Sequence, residues 1–227
     1  NDVSKYAIEN WSDYKITITE ASKNSEGVSL VNSNLELYNF DKICAMLFDF
    51  KNVPTSADGI QFIDNDIKLI EFKSGFKQKI TKKNFDEEIA KCDSTNKICE
   101  EYWNLFWENQ KRKIDELISS VRLKAIESYI TLEKHIFPKC DEFGANHTSK
   151  LVFMVVVDEE GIDGFEDALA ELSGSDLKTD NNLFSIKKSL KRLSNNKDWL
   201  GNTYLYDSIE VLTAQDFKNR IEDTIKF

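Results

Sequence analysis

This chain of 227 residues lacks several features that mark a protein class at once. No apolar run approaches the roughly 18–20 residues of a membrane-spanning helix, so we expect no membrane contact. The four cysteines form no C-x-x-C pair and only two histidines are present, so the spacing matches no zinc site. The cysteine pattern instead predicts free thiols in a reducing cytoplasm.

Positive charge is also scarce, because 30 Lys and Arg residues face 40 Asp and Glu residues and the net charge is −10. This is the wrong overall sign for a nucleic-acid-binding protein, since phosphate contacts supply most non-specific affinity. Binding depends on the local field, however, and lysines do cluster in two places. Each cluster fits either a phosphate-binding surface or an ordinary solvated face. The first, our candidate for nucleic-acid binding, contains Lys77, Lys79, Lys82 and Lys83, and the second contains Lys187, Lys188, Lys191 and Arg192.

The order of periodic segments predicts an α/β fold with one mixed central sheet flanked by helices. Alternating residues predict a strand over 13–20 and a return strand over 28–31, and helical spacing predicts a helix over 40–48. A continuous apolar run at 150–158 is typical of a central strand covered on both faces. We expect one domain over 1–227, with a long helical segment at about 97–138 that is either one helix or two. Further predicted elements are helices over 165–172, 183–193 and 215–225 and a strand over 204–212.

Residues 57–75 form the most informative segment, because their pattern predicts a β-hairpin with charged residues at its open end. Asp58 lies at the start of the first strand, and Glu71 and Lys73 end the second. Side chains alternate between the two faces of a strand, so Glu71 and Lys73 share a face with the apolar Ile67 and Leu69. That face is expected to be partly buried.

The turn decides which residue lies opposite Asp58. A two-residue turn at 64–65 places Asp58 opposite Glu71, and a turn at 65–66 places it opposite Lys73. Either arrangement brings Asp58 within about 5 Å of a charged partner, measured between Cα atoms. A three-residue turn would place Asp58 opposite Phe72, and the site would then need a bulge.

Two facing carboxylates repel each other, and the repulsion grows with burial. A bound Mg²⁺ or Mn²⁺ resolves this conflict, because such ions use one or two carboxylates together with water and substrate phosphate. Lys73 would stabilise charge on the phosphate or orient the attacking water. The bare acid-x-Lys tripeptide occurs six times in the chain, but only Glu71-Phe72-Lys73 ends an apolar strand in such a hairpin. The alternative is an ordinary amphipathic hairpin whose charges face water.

The hairpin with Asp58, Glu71 and Lys73 resembles the PD-(D/E)XK nuclease superfamily, whose fold is called restriction-endonuclease-like. The resemblance implies a Mg²⁺- or Mn²⁺-dependent hydrolase of phosphodiesters in DNA. It makes Asp58 and Glu71 metal ligands and Lys73 the catalytic lysine. Many members add an acidic residue from the first core helix; the candidates here are Glu36, Asp41 and Asp49, of which Asp41 at the expected helix start is preferred.

Two features depart from the resembled pattern. Pro54 is not adjacent to Asp58, so the literal Pro-Asp pair is absent, and the net acidity is unusual for a DNA enzyme. The leading hypothesis is a nuclease of bacterial defence, restriction or mobile elements, with homodimerisation as the resembled family suggests. The alternative is a catalytically silent module that engages a basic protein partner through its acidic surface. A third hypothesis is an RNA-processing nuclease on the same fold.

Overall fold

A six-stranded mixed sheet lies between two layers of helices in the computed structural model of this chain. The structure describes residues 2–63, 66–75, 87, 89–92, 97–140, 149–158, 182–194 and 205–224. The strands are β1 (Lys15–Thr17), β2 (Glu36–Asn39), β3 (Gly59–Ile63), β4 (Asp66–Lys73), β5 (Leu151–Val157) and β6 (Ser208–Thr213). The helices are α1 (Asp2–Asn10), α2 (Ile18–Ala21), α3 (Phe40–Leu47), α4 (Lys97–Thr131), α5 (Asn182–Leu190) and α6 (Ala214–Thr224).

The strands lie in the sheet in their order along the chain. Strands β1 to β4 pair antiparallel, whereas β4, β5 and β6 pair parallel. Parallel neighbours need a crossover connection, and the connections from β4 to β5 and from β5 to β6 contain α4 and α5. The prediction of an α/β fold with a mixed sheet is therefore confirmed.

Each face of the sheet has its own apolar core. Helices α1, α3, α4 and α5 pack on the face that carries Ile67, Leu69 and Phe153. The opposite face carries Ile70 and Met154 and packs against α2 and α6. All seven residues of β5 are buried, as its continuous apolar run predicts for a strand covered on both sides.

Helix α4 is one continuous helix of 35 residues, which settles the choice between one helix and two. It continues into a π-helical turn over Leu132–Ile136 and a 3₁₀ turn over Phe137–Lys139 that contains Pro138. The predicted apolar stripe of α4 is core, because Ile114, Ile118, Val121 and Ala125 are buried against the sheet.

A buried tyrosine fixes the position of α4 over the sheet. The Tyr206 hydroxyl, just before β6, donates a hydrogen bond of 2.6 Å to the Ala125 carbonyl. Tyr206 is fully enclosed and its ring packs against Tyr129 of α4 and Phe153 of β5. The C-terminal part of α4 is thus held in a defined position over the sheet.

Local chemistry explains where predicted elements differ from observed ones. The expected strand at 13–20 is only partly right, because Thr17 and Glu20 form a reciprocal capping box that starts α2. The expected return strand at 28–31 is wrong and is reduced to a single bridge between Lys23 and Ser29. The predicted helices at 40–48, 183–193 and 215–225 and the strand at 204–212 form with shifted ends. The predicted helix at 165–172 lies outside the described residues.

The cysteines correct another expectation. Cys92 and Cys99 are joined in a disulfide, so only Cys44 and Cys140 are free thiols, and both are buried. Burial raises the pKa of the Cys44 thiol to about 12, which keeps it protonated and unreactive at neutral pH. Disulfides are rare in the cytosol of mesophiles, so the cytoplasmic location stays a prediction that the cysteines do not favour.

Gly59 marks a close approach between β2 and β3 beside Asp58. A Cβ atom added at Gly59 would lie 2.6 Å from Cδ1 of the buried Leu37.

We expect Gly59→Ala to lower the free energy of unfolding by about 1–2 kcal/mol, because the added methyl group overpacks the contact with Leu37. Urea denaturation of the single variants and of the Gly59→Ala, Leu37→Ala double variant measures the coupling. An equal cost of Gly59→Ala in both backgrounds would contradict the proposed contact.

Candidate functional site

The register of the hairpin settles which residue lies opposite Asp58. Ile63 pairs with Asp66 and Gly59 pairs with Ile70, as expected for a two-residue turn at 64–65. Continuing this register past the end of β3 places Asp58 opposite Glu71. The first of the three registers considered is therefore confirmed, although the two turn residues themselves lie outside the described part of the chain.

Glu71 lies in the interior, on the face of the sheet that α4 covers. Its relative exposure is 0%, and its neighbours two and four residues earlier, Leu69 and Ile67, belong to the core beneath α4. The alternative of an amphipathic hairpin with its charges in water is wrong for Glu71. A buried carboxylate needs a charged or hydrogen-bonding partner, because burial without one is costly.

The backbone holds the Asp58 carboxylate in a fixed place. Strand β3 begins at Gly59, and beyond this point the Asp58 side chain takes over the pairing with β4. Its Oδ2 atom accepts a hydrogen bond of 2.7 Å from the Phe72 backbone N–H. The Asp58 carbonyl accepts one of 3.2 Å from the N–H of Phe40, the first residue of α3. Asp58 is thus fixed at both its main chain and its side chain.

Lys124 of α4 joins the two carboxylates. Its Nζ atom lies 3.1 Å from Asp58 Oδ1 and 2.8 Å from Glu71 Oε2, close enough for charge-assisted hydrogen bonds to both. The Lys124 and Asp58 side chains are 20% and 19% exposed, so the pair lies at the edge of the interior rather than deep within it. Glu71 is more enclosed, with a side-chain exposure of 1%.

Lys73 has a different partner. Its Nζ atom donates a hydrogen bond of 3.3 Å to the Ser120 hydroxyl on α4. Lys73 still lies near enough to Glu71 for its charge to lower the pKa of that carboxyl. The lysine predicted from the acid-x-Lys motif is thus beside the site, while a lysine from another element makes the direct contacts.

Helix α4 contacts the site through a row of polar residues spaced four apart: Ser120, Lys124 and Ser128. Ser128 is fully buried and its hydroxyl accepts a hydrogen bond of 2.8 Å from the Ala57 N–H, one residue before Asp58. One residue earlier on the helix, Glu127 accepts hydrogen bonds from the N–H and hydroxyl of Thr55. Residues four apart lie on the same side of a helix. One face of α4 therefore contacts both Lys73 at the end of β4 and the Ala57 backbone just before Asp58.

Sequence reasoning missed both Lys124 and Ser128, and a signal was present for Ser128. The buried stripe of α4 at Ile114, Ile118, Val121 and Ala125 continues to Leu132 in the π-helical turn, and Ser128 occupies a position in it where the spacing calls for an apolar residue. A polar residue within an apolar stripe points to a buried hydrogen-bonding partner. No pattern within α4 identifies that partner, which is separated from it by more than 50 residues of chain.

The candidates for a further acidic ligand do not share the Lys124 ammonium with Asp58 and Glu71. Asp41, in the first turn of α3, accepts a hydrogen bond of 2.5 Å from Ser56, and its charge raises the pKa of Asp58. Glu36 forms an ion pair with Lys15, and Asp49 is exposed in the loop after α3. Within the described ranges, no three Asp, Glu, His or Cys side chains are placed to hold one metal ion.

The predicted nucleic-acid-binding lysines at 77, 79, 82 and 83 lie outside the described residues. Of the second basic cluster, Lys187 and Lys188 of α5 and Lys191 just after it are exposed. Their exposure suits either of the two interpretations considered for this cluster.

Burial and mutual repulsion dominate the electrostatics. Burial and the charge of Asp58 raise the pKa of Glu71 to about 8, although Lys124 and Lys73 oppose the shift. Burial also raises the pKa of Asp58, against the charge of Lys124 and the Phe72 N–H. Burial alone would lower the pKa of Lys124, but the charges of Glu71 and Asp58 outweigh it and raise that pKa. The positive charge of the two lysines therefore does not fully offset the burial and mutual repulsion of the two carboxylates.

The donor set fits a divalent cation that uses two carboxylates. Glu71 Oε1 is buried and has no hydrogen-bond partner among the described residues, so one oxygen of the site is unsatisfied. Mg²⁺ commonly takes one or two carboxylates and completes its shell with water and substrate phosphate. Asp58 and Glu71 would hold such an ion, which would supply an activated water and neutralise phosphate charge.

Comparison of the chain with protein-family models, with curated proteins and with solved structures finds no match in any of the three. The site must therefore be interpreted from its own geometry. No helix in the described part of the chain has the length and apolar character needed to cross a membrane.

The pKa of Glu71 predicts a pH-dependent stability. The folded protein holds this proton up to a pH of about 8, whereas the reference carboxyl loses it near 4.5. The free energy of unfolding of the wild type should therefore fall as pH rises through this window and level off above it. Glu71→Gln cannot ionise, so we expect it to gain about 2–4 kcal/mol relative to wild type between pH 5 and 8.5.

Denaturant unfolding at several pH values measures this difference. Glu101→Gln, which removes an exposed carboxylate from α4, is the control and should follow the wild type throughout. A constant difference between Glu71→Gln and wild type across the pH range would mean that Glu71 is ionised at all of these pH values.

Proposed function

We propose that this protein is a metal-dependent phosphodiester hydrolase whose site comprises Asp58, Glu71, Lys73 and Lys124. The single observation that carries the proposal is the convergence of Asp58 and Glu71, with one buried carboxylate oxygen left unpartnered. Two carboxylates brought together beside two lysines suit a reaction in which both a cation and an anionic phosphate are bound.

Each residue has a role that follows from its position. Asp58 and Glu71 bind the cation, and the Phe72 N–H keeps the Asp58 carboxylate oriented. Lys73 places positive charge beside Glu71 at the carboxyl end of β4, where it stabilises the charge that develops on the phosphate. Ser120 holds Lys73 from α4 and thereby limits the positions of its ammonium group.

We infer that the fold is restriction-endonuclease-like and the substrate DNA. Supporting features are the helix before the hairpin, the hairpin that carries the acid pair, the long helix after it and the buried parallel strand that follows. This order is the one that the resemblance to PD-(D/E)XK nucleases implies. The chemistry of the proposed site would cleave any phosphodiester, so RNA is an alternative substrate. The resemblance also implies a homodimer, in which a second copy of the chain is the partner.

One observation favours a second candidate, the catalytically silent module. Lys124 already satisfies one oxygen of each carboxylate, as in a structural ion pair that holds α4 on the hairpin. In that case the ion pair serves stability alone, and the acidic surface of net charge −10 is what meets a basic protein partner. Cleavage activity separates the two candidates.

We predict that Asp58→Asn and Lys73→Met each lower the cleavage rate in Mg²⁺ or Mn²⁺ by about 10²-fold or more. Asp58→Asn would weaken cation binding, and Lys73→Met would remove the positive charge that stabilises the phosphate. Single-turnover cleavage of single-stranded, duplex and branched DNA and of RNA measures the loss. Circular dichroism shows whether each variant stays folded.

Lys68→Met is the matched control for this experiment. Lys68 belongs to Asp66-Ile67-Lys68, another acid-x-Lys tripeptide on the same strand, but its side chain lies on the opposite face of β4. Lys68→Met should keep the wild-type rate. A wild-type protein that cleaves no substrate in the panel with either ion would refute the hydrolase and favour the silent module.

A further inference from the structure

We propose that Lys124 is a built-in competitor of the metal ion: its ammonium group and a divalent cation occupy the same place between Asp58 and Glu71. This inference rests on the proposed function, because it describes how the same site is loaded. It concerns a residue outside the hairpin motif, contributed by α4.

The first step of the argument is an account of the carboxylate oxygens. Asp58 Oδ2 is used by the Phe72 N–H, and Asp58 Oδ1 and Glu71 Oε2 are both used by Lys124. The remaining oxygen, Glu71 Oε1, is buried. Asp58 Oδ1 is the Asp58 oxygen that the backbone does not hold, so a cation that binds both carboxylates through it takes an oxygen that Lys124 now holds.

The second step concerns charge. A divalent cation bound to these oxygens would lie within a few ångströms of the Lys124 ammonium group, and like charges so close repel strongly in a partly buried site. Lysine has a long flexible stem, and the Lys124 side chain is 20% exposed, so its ammonium group can move toward solvent. Binding of the cation thus displaces the Lys124 ammonium group, and the two positive charges do not occupy the site together.

The third step is the consequence for the substrate. Once displaced, the Lys124 ammonium is a free positive charge at the edge of the site, where an anionic phosphate group can bind it. The cation and the phosphate then favour each other's binding, because both bind more tightly when the Lys124 ammonium group is displaced from the carboxylates. Without the cation, Lys124 covers the carboxylates and offsets part of their negative charge.

Replacing Lys124 tests the competition without any reliance on activity. We expect Lys124→Met to bind Mn²⁺ at least about tenfold more tightly than wild type in isothermal titration calorimetry, because no ammonium has to be displaced. Lys124→Arg keeps the charge and should bind Mn²⁺ no more tightly than wild type. Lys68→Met, which removes a positive charge from the other face of β4, should leave Mn²⁺ affinity unchanged and so controls for net charge.

Mn²⁺ binding by Lys124→Met that is absent, or equal to or weaker than that of wild type, would overturn the proposal. If Lys124→Met does not fold, the wild type provides the test through the ¹⁵N-labelled lysine ammonium signals in NMR. Titration with Mg²⁺ should shift the Lys124 signal, and an unchanged signal at millimolar Mg²⁺ would overturn the proposal. Competition without cleavage would refute the hydrolase alone, whereas cleavage with unchanged Mn²⁺ affinity would refute the competition alone.

Discussion

The structure depends on one constraint, which is that the carboxylates of Asp58 and Glu71 share the ammonium group of Lys124 beneath helix α4. Asp58 and Glu71 come from opposite strands of a hairpin, and Lys124 comes from the long helix that crosses over them. Removing the Lys124 ammonium would leave Asp58 and Glu71 facing each other without a positive charge between them in a partly buried place, which is costly. The fold therefore holds these groups together by packing that is independent of their charges, chiefly the apolar stripe of α4 and the buried Tyr206 contact.

If the proposed function holds, the same arrangement sets stability against cation binding. Burial gives the carboxylates a strong preference for positive charge, and Lys124 meets that preference only in part, because Glu71 Oε1 stays unsatisfied. Natural proteins keep such incomplete networks where a ligand completes them, so the shortfall supports a cation site more than a structural ion pair. In the proposed hydrolase, Lys73, which donates a hydrogen bond to Ser120, would stabilise charge on a phosphate bound beside the cation.

Much of the hairpin and the long helix itself were predictable from sequence, whereas the contact between Lys124 of that helix and the hairpin was not. Strand alternation placed Glu71 on the face of Ile67 and Leu69, because it is a local rule of period. Three registers stayed open in the sequence, and the structure shows the one that places Asp58 opposite Glu71. Lys124 is brought to Glu71 across 53 residues by the packing of α4, and no local period encodes such a contact. The expected strands at 13–20 and 28–31 failed for a different reason, since local capping and turn contacts overrode β-propensity.

A crystal structure of the wild-type protein grown with Mn²⁺ tests the central claim most directly. The account predicts an anomalous scattering peak bound by Asp58 and Glu71, with the Lys124 ammonium moved away from both carboxylates. Density that keeps Lys124 bonded to Asp58 and Glu71 at saturating Mn²⁺, with no anomalous peak beside them, would contradict the account and leave the three residues as a structural ion pair.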